Sequence, residues 1–524
     1  MENLNLNDRT NPIKIVLLRT PMVVPKMSHA FSICPPLGLA YVAAALQKAN
    51  YEVRSIDALG EAPFQKIVYE KNKNFINVGL STEQILEHLD LKKFDVLFVS
   101  LMFSHDWPVS KSIIKAIKKK YPNILLVCGG EHISASPEFC MKDCPEIDVC
   151  IFGEGEETSV ELLDALKLKK SLSTVNGIVF KSSDKLHRNP NRARINKIDD
   201  IIWPAWDLFP LETYLSNGFG YGVNSGRSMP MLISRGCPYQ CTFCSSPQMW
   251  TTKWQARSPD CVLDEMQHYL EKYNAQNFDF YDLTTIVKKD WIVEFCTKLI
   301  EKKWNITWQM PAGTRSEALD DEALGLMQES GQRNISYAPE SGSKETLQKI
   351  KKKIKIDRMK QSIKSALSKN MNVKLNLMMG FPHETHKDIF KTLSFIKDAA
   401  VIGVHDAYIA CFAPYPGSEL FEQLHKSGKI SNMDDEYFLN LTSYSDLLHS
   451  YSYSPHLSDR MLTFYRLGGM LMFYLISFAL HPKRIFRVFS NVIKKREESR
   501  LDMALIQLID RFKGTRGRRS KLLH

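Results

Sequence analysis

The chain has 524 residues and a mass of 60.1 kDa, room for about three domains at roughly 100–200 residues each. With 44% hydrophobic and 24% charged residues, the composition excludes collagen, coiled coil and a wholly disordered chain. The formal charge is +11, of which +9 falls between His481 and His524. The nearly neutral body argues against an extended basic face, so no nucleic-acid partner is expected, and the charge reads as a basic C-terminal appendage. Eleven cysteines accompany a polar segment Met1–Asn11 that lacks an apolar core, which fits a reduced, cytoplasmic setting and metal or catalytic use of thiols.

Residues 1–180 alternate apolar runs with helical patterns. Lys14–Leu18, Tyr51–Ile56, Asp95–Leu101, Ile124–Cys128 and Val149–Phe152 read as strands. Leu37–Ala49, Thr82–Leu89, Ser110–Lys120 and Thr158–Leu166 read as helices. This order predicts an α/β domain with a parallel, doubly wound (Rossmann-like) sheet, its ligand lying beyond the carboxyl ends of the strands. Residues 181–228, polar and interrupted by Pro190, Pro204 and Pro210, read as a linker. In residues 229–440 the strands Met231–Ser234, Asn277–Tyr281, Thr307–Met310, Ile335–Ala338, Lys374–Met378 and Tyr408–Phe412 alternate with helices. Six such units predict a partial β/α barrel. The basic run Lys349–Lys355 reads as a solvated helix face and turn. Residues 441–524 read as helical; within them Leu467–Leu480 is apolar but too short to span a bilayer, which needs about 20 residues. Followed by Lys483, Arg484 and Arg487, it reads as a helix packed on the barrel or as an interfacial anchor on anionic lipid.

The sharpest motif is Arg235-Gly-Cys237-Pro-Tyr-Gln-Cys241-Thr-Phe-Cys244, directly after the first strand of the second domain. Three thiolates on one loop can bind three irons of a 4Fe–4S cluster and leave the fourth iron for a small ligand. A structural zinc site would want a fourth ligand, usually as a second pair, and no such pair stands nearby. The pair Cys140-x-x-x-Cys144 reads as small buried residues.

On this motif, the stretch from Met231 to Leu424 resembles the radical S-adenosylmethionine (radical SAM) enzymes. The resemblance implies that Cys237, Cys241 and Cys244 hold the cluster and that Phe243 contacts the adenine of SAM. It further implies that Asp282, Arg315, Glu340, Ser341, Gly380 and Pro382 lie around SAM. Pro36-Leu37-Gly38, Ser100, Gly129-Gly130 and Gly153-Glu154 in turn resemble the cobalamin-binding domain of cobalamin-dependent members of that family. Small residues after strands let a broad corrin approach the backbone. The mutase motif that supplies a histidine to cobalt is absent: neither Ser28-His29-Ala30 nor Ser104-His105-Asp106 matches it. Base-off cobalamin without a protein histidine on cobalt is therefore expected.

In relatives with this layout, cobalamin carries a methyl group from one SAM, and a 5′-deoxyadenosyl radical from a second SAM activates the acceptor carbon. The resemblance thus implies a C-methyltransferase acting on a hydrophobic or lipid-like small molecule, with flavodoxin or ferredoxin as electron donor. The alternatives are a radical cyclase of the anaerobic magnesium-protoporphyrin ester type and a non-catalytic cobalamin sensor. No catalytic acid or base is identifiable from the sequence.

Overall fold

The computed structural model describes residues 13–517 apart from 27, 29–30, 90–93, 183–184, 316–317 and 447–448. Its first sheet begins with five parallel strands in the spatial order Glu52–Asp57, Lys14–Arg19, Val96–Ser100, Leu125–Gly129, Val149–Ile151. The inner strands are apolar on both faces because helices cover both sides, as parallel pairing demands. The chain reverses its direction of travel between Lys14–Arg19 and Val96–Ser100, which is the switch point where such sheets leave a crevice. In-register pairing puts Arg19, Ser100 and Gly129 in one row at the carboxyl edge.

Three features depart from the sequence reading. An antiparallel hairpin, Ile178–Ser182 with Lys185–Arg188, extends the first sheet past residue 180. The rest of the expected linker is also built into the fold. Trp206 and Tyr214 are buried; Trp206 Nε1 donates to Tyr269 Oη at 3.1 Å, and Tyr214 Oη donates to Asp57 at 2.6 Å while accepting from Arg19 at 3.0 Å. Prolines and polar residues had suggested a tether, but the aromatic residues between them fill the seam between two sheets. A small antiparallel sheet of Met22–Pro25, Phe75–Val78 and Lys66–Val68 was not legible, because strands of three or four residues carry too little alternation to read.

The second sheet has six parallel strands in chain order: Ser228–Met231, Asn277–Phe280, Thr307–Thr314, Gln332–Glu340, Asn372–Met379 and Asp406–Cys411. Sequential order with a helix after each strand is the arrangement of a β/α barrel, here with six strands. One buried apolar cluster runs from Leu39 and Tyr41 of the first domain through Trp206 and Phe209 to Met229 and Phe280 of the barrel. The two domains thus share a core. Helix Asp459–Leu480 closes over helix His386–Ile402 and the last strand, Asp406–Cys411, burying Leu462, Arg466, Gly469, Phe473 and Ser477 at three- and four-residue spacing.

Candidate functional site

The cysteine loop leaves the barrel through a two-residue strand, Ser234–Arg235, paired with Gln255–Ala256. Gly236 turns the chain at φ +85°, and a Cβ there would stand 2.3 Å from the Lys253 carbonyl oxygen, so only glycine fits. Asp282 pins the entry to the loop: its carboxylate accepts from Ile233 N at 3.2 Å, from Ser234 N, and from Ser234 Oγ at 2.6 Å. Burial raises its pKa to about 6 against these bonds. The resemblance implies that Asp282 lies around SAM; here its oxygens are taken up in fixing the loop.

Beyond that turn, Cys237, Cys241 and Cys244 are all half-buried. Thr284 Oγ1 donates to Cys237 Sγ at 3.1 Å. Burial pushes the Cys244 thiol up to about 12, and the neighbouring Cys241 and Cys237 add to that rise. The loop is tied to the barrel by Thr242 N, which donates to Ile350 O at 3.1 Å, and by Leu420 N, which donates to Thr242 O at 2.9 Å. Among the described residues, no three His, Cys, Asp or Glu side chains converge tightly enough for a single metal ion. A larger cluster with one cysteine per iron fits the loop, and the hydroxyls of Thr242 and Ser246 are buried there without a protein acceptor, free to donate to cluster sulfur.

Around Cys241 the structure gathers Arg315, Glu340 and Lys352. Arg315 stacks on the Tyr239 ring at 3.6 Å and donates to Lys353 O. Lys352 Nζ bonds Glu340 at 2.8 Å, and both are buried. Glu340 holds φ +65°, a strained conformation of the sort that collects at functional sites. Lys352 corrects the sequence reading of Lys349–Lys355 as a solvated face: it is 9% exposed, because in the turn after helix Lys344–Lys349 its side chain reaches inward to Glu340. A lone lysine in a basic run gives no sequence signal of that. Phe243 lies 5.8 Å from the Phe381 ring, next to Pro382. Gly380 N and Phe381 N both donate to Glu384, whose pKa burial raises to about 7. Ser341 is spent inside the fold, bonded to Thr392 Oγ1 of helix His386–Ile402 and accepting from Ser343 N of its own turn.

The first domain presents space where the barrel presents polar groups. Gly153 (φ +81°) and Gly38 are positions where a Cβ would meet nothing within 4 Å. Gly130 (φ +109°) packs so closely that a Cβ would stand 2.5 Å from Leu101 O. After Ser100, Met102 and Phe103 are 49% and 46% exposed. Open glycines at Gly38 and Gly153 and exposed apolar side chains after Ser100 leave room for a broad, largely apolar planar group such as a corrin.

Pro36 caps helix Leu37–Lys48 without a side-chain bond, and Leu37 points into the shared core, so neither is placed as a ligand contact. Glu154 is also occupied: it pairs with Arg235 at 3.0 Å and Arg194 at 3.3 Å and accepts from Ile195 N at 2.7 Å. His105 is buried between Phe103 and Tyr444. His29 lies outside the described residues.

The two strand edges meet. Arg235, one turn before Cys237, is buried between Glu154 and Glu156 at 3.0 and 2.5 Å. Trp250 Nε1 donates to Glu131 at 3.3 Å, linking the helix that follows Cys244 to the helix that follows Gly130. Gly417 allows close approach to both sides: its Cβ would lie 3.2 Å from Ala135 and 3.5 Å from Ser245.

Comparison with known proteins matches each of the two domains to a family. Residues 26–163 match the family model of the B12 binding domain, and residues 231–396 that of the radical SAM superfamily. An uncharacterized methyltransferase of Pyrococcus horikoshii is 26% identical, covering 86% of this chain and 89% of its own length. Cytidylyl-2-hydroxyethylphosphonate methyltransferase of Streptomyces wedmorensis is 28% identical over 77% of this chain and 80% of its own. The anaerobic magnesium-protoporphyrin IX monomethyl ester cyclase of Rubrivivax gelatinosus is 23% identical over 82% and 73%. Among solved structures, the radical SAM methyltransferase TsrM of Kitasatospora setae shares the fold. Its TM-score is 0.61 at 15% identity, covering 79% of this chain and 78% of that one. With a B12-binding domain joined to a radical SAM barrel, and with cobalamin, a 4Fe–4S cluster and SAM as its cofactors, this chain belongs to the cobalamin-dependent radical SAM enzymes.

Proposed function

We propose that the enzyme methylates an unactivated carbon of a hydrophobic or lipid-like small molecule, consuming two SAM per turnover. The observation that carries this reading is the contact between the two strand edges, through the Arg235 clamp and the Trp250–Glu131 bond. When bound, SAM with its cluster supplies a carbon-centred radical and the corrinoid supplies a methyl group. The chain's own part is to hold a substrate between the two and keep water out. Arg235 fixes the distance between the edges, Asp282 fixes the cysteine loop, and Met102 and Phe103 offer exposed apolar surface after the strand that ends at Ser100. Cys237, Cys241 and Cys244 would hold the cluster. Phe243, Arg315, Glu340, Gly380 and Pro382 stand where SAM would lie, and Gly38, Ser100, Gly129, Gly130 and Gly153 where cobalamin would. The reading includes a flavodoxin- or ferredoxin-type electron donor. It places the enzyme in the cytoplasm, with peripheral membrane contact.

A radical oxidative cyclase is the second reading, favoured by the likeness to the Rubrivivax cyclase. One experiment separates the two: anaerobic reconstitution with iron, sulfide and cobalamin, then SAM and reductant, with products resolved by mass. Formation of both S-adenosylhomocysteine and 5′-deoxyadenosine, and a product heavier by one CH₂, supports methylation. 5′-Deoxyadenosine alone, with a product that gains no carbon, moves the assignment to cyclisation.

A further inference from the structure

We propose that the enzyme docks in the plane of an anionic lipid bilayer through the outward faces of helices Asp459–Leu480 and Lys483–Lys494. On the first helix, Phe464, Leu471 and Leu475 recur at seven- and four-residue spacing and so share one face. On the second, Phe486, Phe489 and Ile493 form a stripe at three- and four-residue spacing. These six side chains are 60–76% exposed. Phe390, 58% exposed on the neighbouring helix His386–Ile402, extends the first face through its contact with Tyr465. Single exposed apolar residues are ordinary on soluble proteins, but stripes of this length on consecutive helices mark an interaction surface.

Three observations identify the occupant. The first concerns depth. Helix Asp459–Leu480 is long and apolar enough to cross a membrane, yet its opposite face is committed to the barrel. Arg466 is buried and donates to the carbonyls of Ser443, at 2.8 Å, and Asp446. Gly469 sits where a Cβ would lie 2.7 Å from Leu393. Spanning would tear out that face and carry Arg466 into hydrocarbon, so the helix is held at the barrel surface. The second helix is likewise fixed, with Arg484 donating to Gly403 O at 2.5 Å and Val404 O at 2.8 Å.

The second observation is charge. Lys483, Arg487 and Lys494 run along one flank of the Phe486–Ile493 stripe, and Lys495 and Arg496 follow at its end. An apolar stripe edged by cations is the pattern that inserts below headgroups while the cations stay among them. The third is the net charge of +9 from His481 to the C-terminus. A second copy covering this face would bring two such tails together, whereas anionic lipid offers the complementary charge.

The test is flotation of the full-length reconstituted enzyme with phosphatidylcholine vesicles and with vesicles containing phosphatidylglycerol. Binding is read at low and high salt, with SAM cleavage assayed on the same samples. Expected is at least about tenfold more binding to the anionic vesicles, reduced by salt. It should be lost in Phe486→Glu/Phe489→Glu and weakened in Lys483→Glu/Lys494→Glu, with thermal stability and SAM cleavage unchanged. Failure to float, or flotation that neither variant alters, overturns the proposal. Resistance to alkaline carbonate extraction overturns it in favour of a spanning helix. A dimer in solution that Phe486→Glu/Phe489→Glu dissociates overturns it in favour of a second copy. Because binding is read without turnover, failure here is distinguishable from failure of the methylation assignment.

Discussion

The carboxyl edges of the two sheets face one another but are built on opposite principles. The barrel edge concentrates its chemistry in one loop: three cysteines within eight residues, pinned by Asp282 beneath and by Arg235 alongside. The edge of the first domain is spread over loops from residues 38 to 153 and works by leaving things out, through open glycines and exposed Met102 and Phe103. A cluster needs ligands with fixed vectors from a short span of chain. A corrin needs room and backbone, which glycine supplies wherever the strands happen to end. One edge should therefore fail at single residues and the other should degrade by degrees.

The sharpest break is Cys241→Ala. If the three cysteines hold the cluster as proposed, removing one thiolate should abolish the iron–sulfur absorption and 5′-deoxyadenosine formation altogether, while cobalamin still binds with its usual visible spectrum. Retained SAM cleavage would show that the loop is not the cluster site. The next largest effect should come from Arg235→Met, which attacks the join between the edges. It leaves Glu156 buried without its partner and Glu154 with Arg194 alone. Breaking a buried pair by removing one partner costs about 3–5 kcal/mol, to be measured by denaturant unfolding. The triple variant Arg235→Met/Glu154→Gln/Glu156→Gln should recover part of that loss, because the uncompensated charges go with the arginine. If stability recovers while cofactor turnover stays low, the clamp's contribution is the spacing of the edges.

This contrast also decides what could be read in advance. The cysteine loop was legible because spacing within one loop is a sequence property, and the six barrel strands because each is a short apolar run followed by a helical pattern. The first domain's edge was found through its glycines, but Leu37 and Glu154 could not be told from ligands. A leucine after a proline pair points into the core or out of it according to helix phase. A glutamate at a strand end becomes an ion pair only when an arginine some 80 positions later arrives beside it. Lys352 shows the converse, a buried positioning charge hidden in a run of lysines. Long-range partners set these roles, and a single sequence does not display them.

A smaller effect separates the edges by acid. Beside Gly130, His132 is buried against Ser104, Cys140 and His105, and burial lowers its pKa to about 3. Its value in the unfolded chain is about 6.5. Below that pH the unfolded chain binds a proton that the folded one refuses, so stability falls as pH drops through 6.5 toward 3. For this one group the loss is about 2 kcal/mol by pH 5. His405, at the amino end of the last barrel strand, is also lowered to about 3 and should contribute independently. His132→Gln and His405→Gln, unfolded in denaturant at pH 7 and pH 5, should each remove one share of the difference. If His132→Gln leaves the acid loss unchanged, His132 does not stay neutral in the fold.

The gentlest test asks whether the first edge really works by vacancy. Gly153 holds φ +81°, and a Cβ there meets nothing within 4 Å. Gly153→Ala should therefore cost only the left-handed backbone penalty, about 1–2 kcal/mol, and leave cobalamin binding close to wild type, since one methyl takes little of the space. Gly153→Leu carries the same backbone penalty but projects three more carbons over the strand edge. If that space belongs to the corrin, cobalamin affinity should drop by at least about tenfold while iron content and SAM cleavage hold, because the cysteine loop is untouched. Equal cobalamin affinity in the two variants would mean that the cofactor lies elsewhere on the edge, and that the glycine is there for its turn alone.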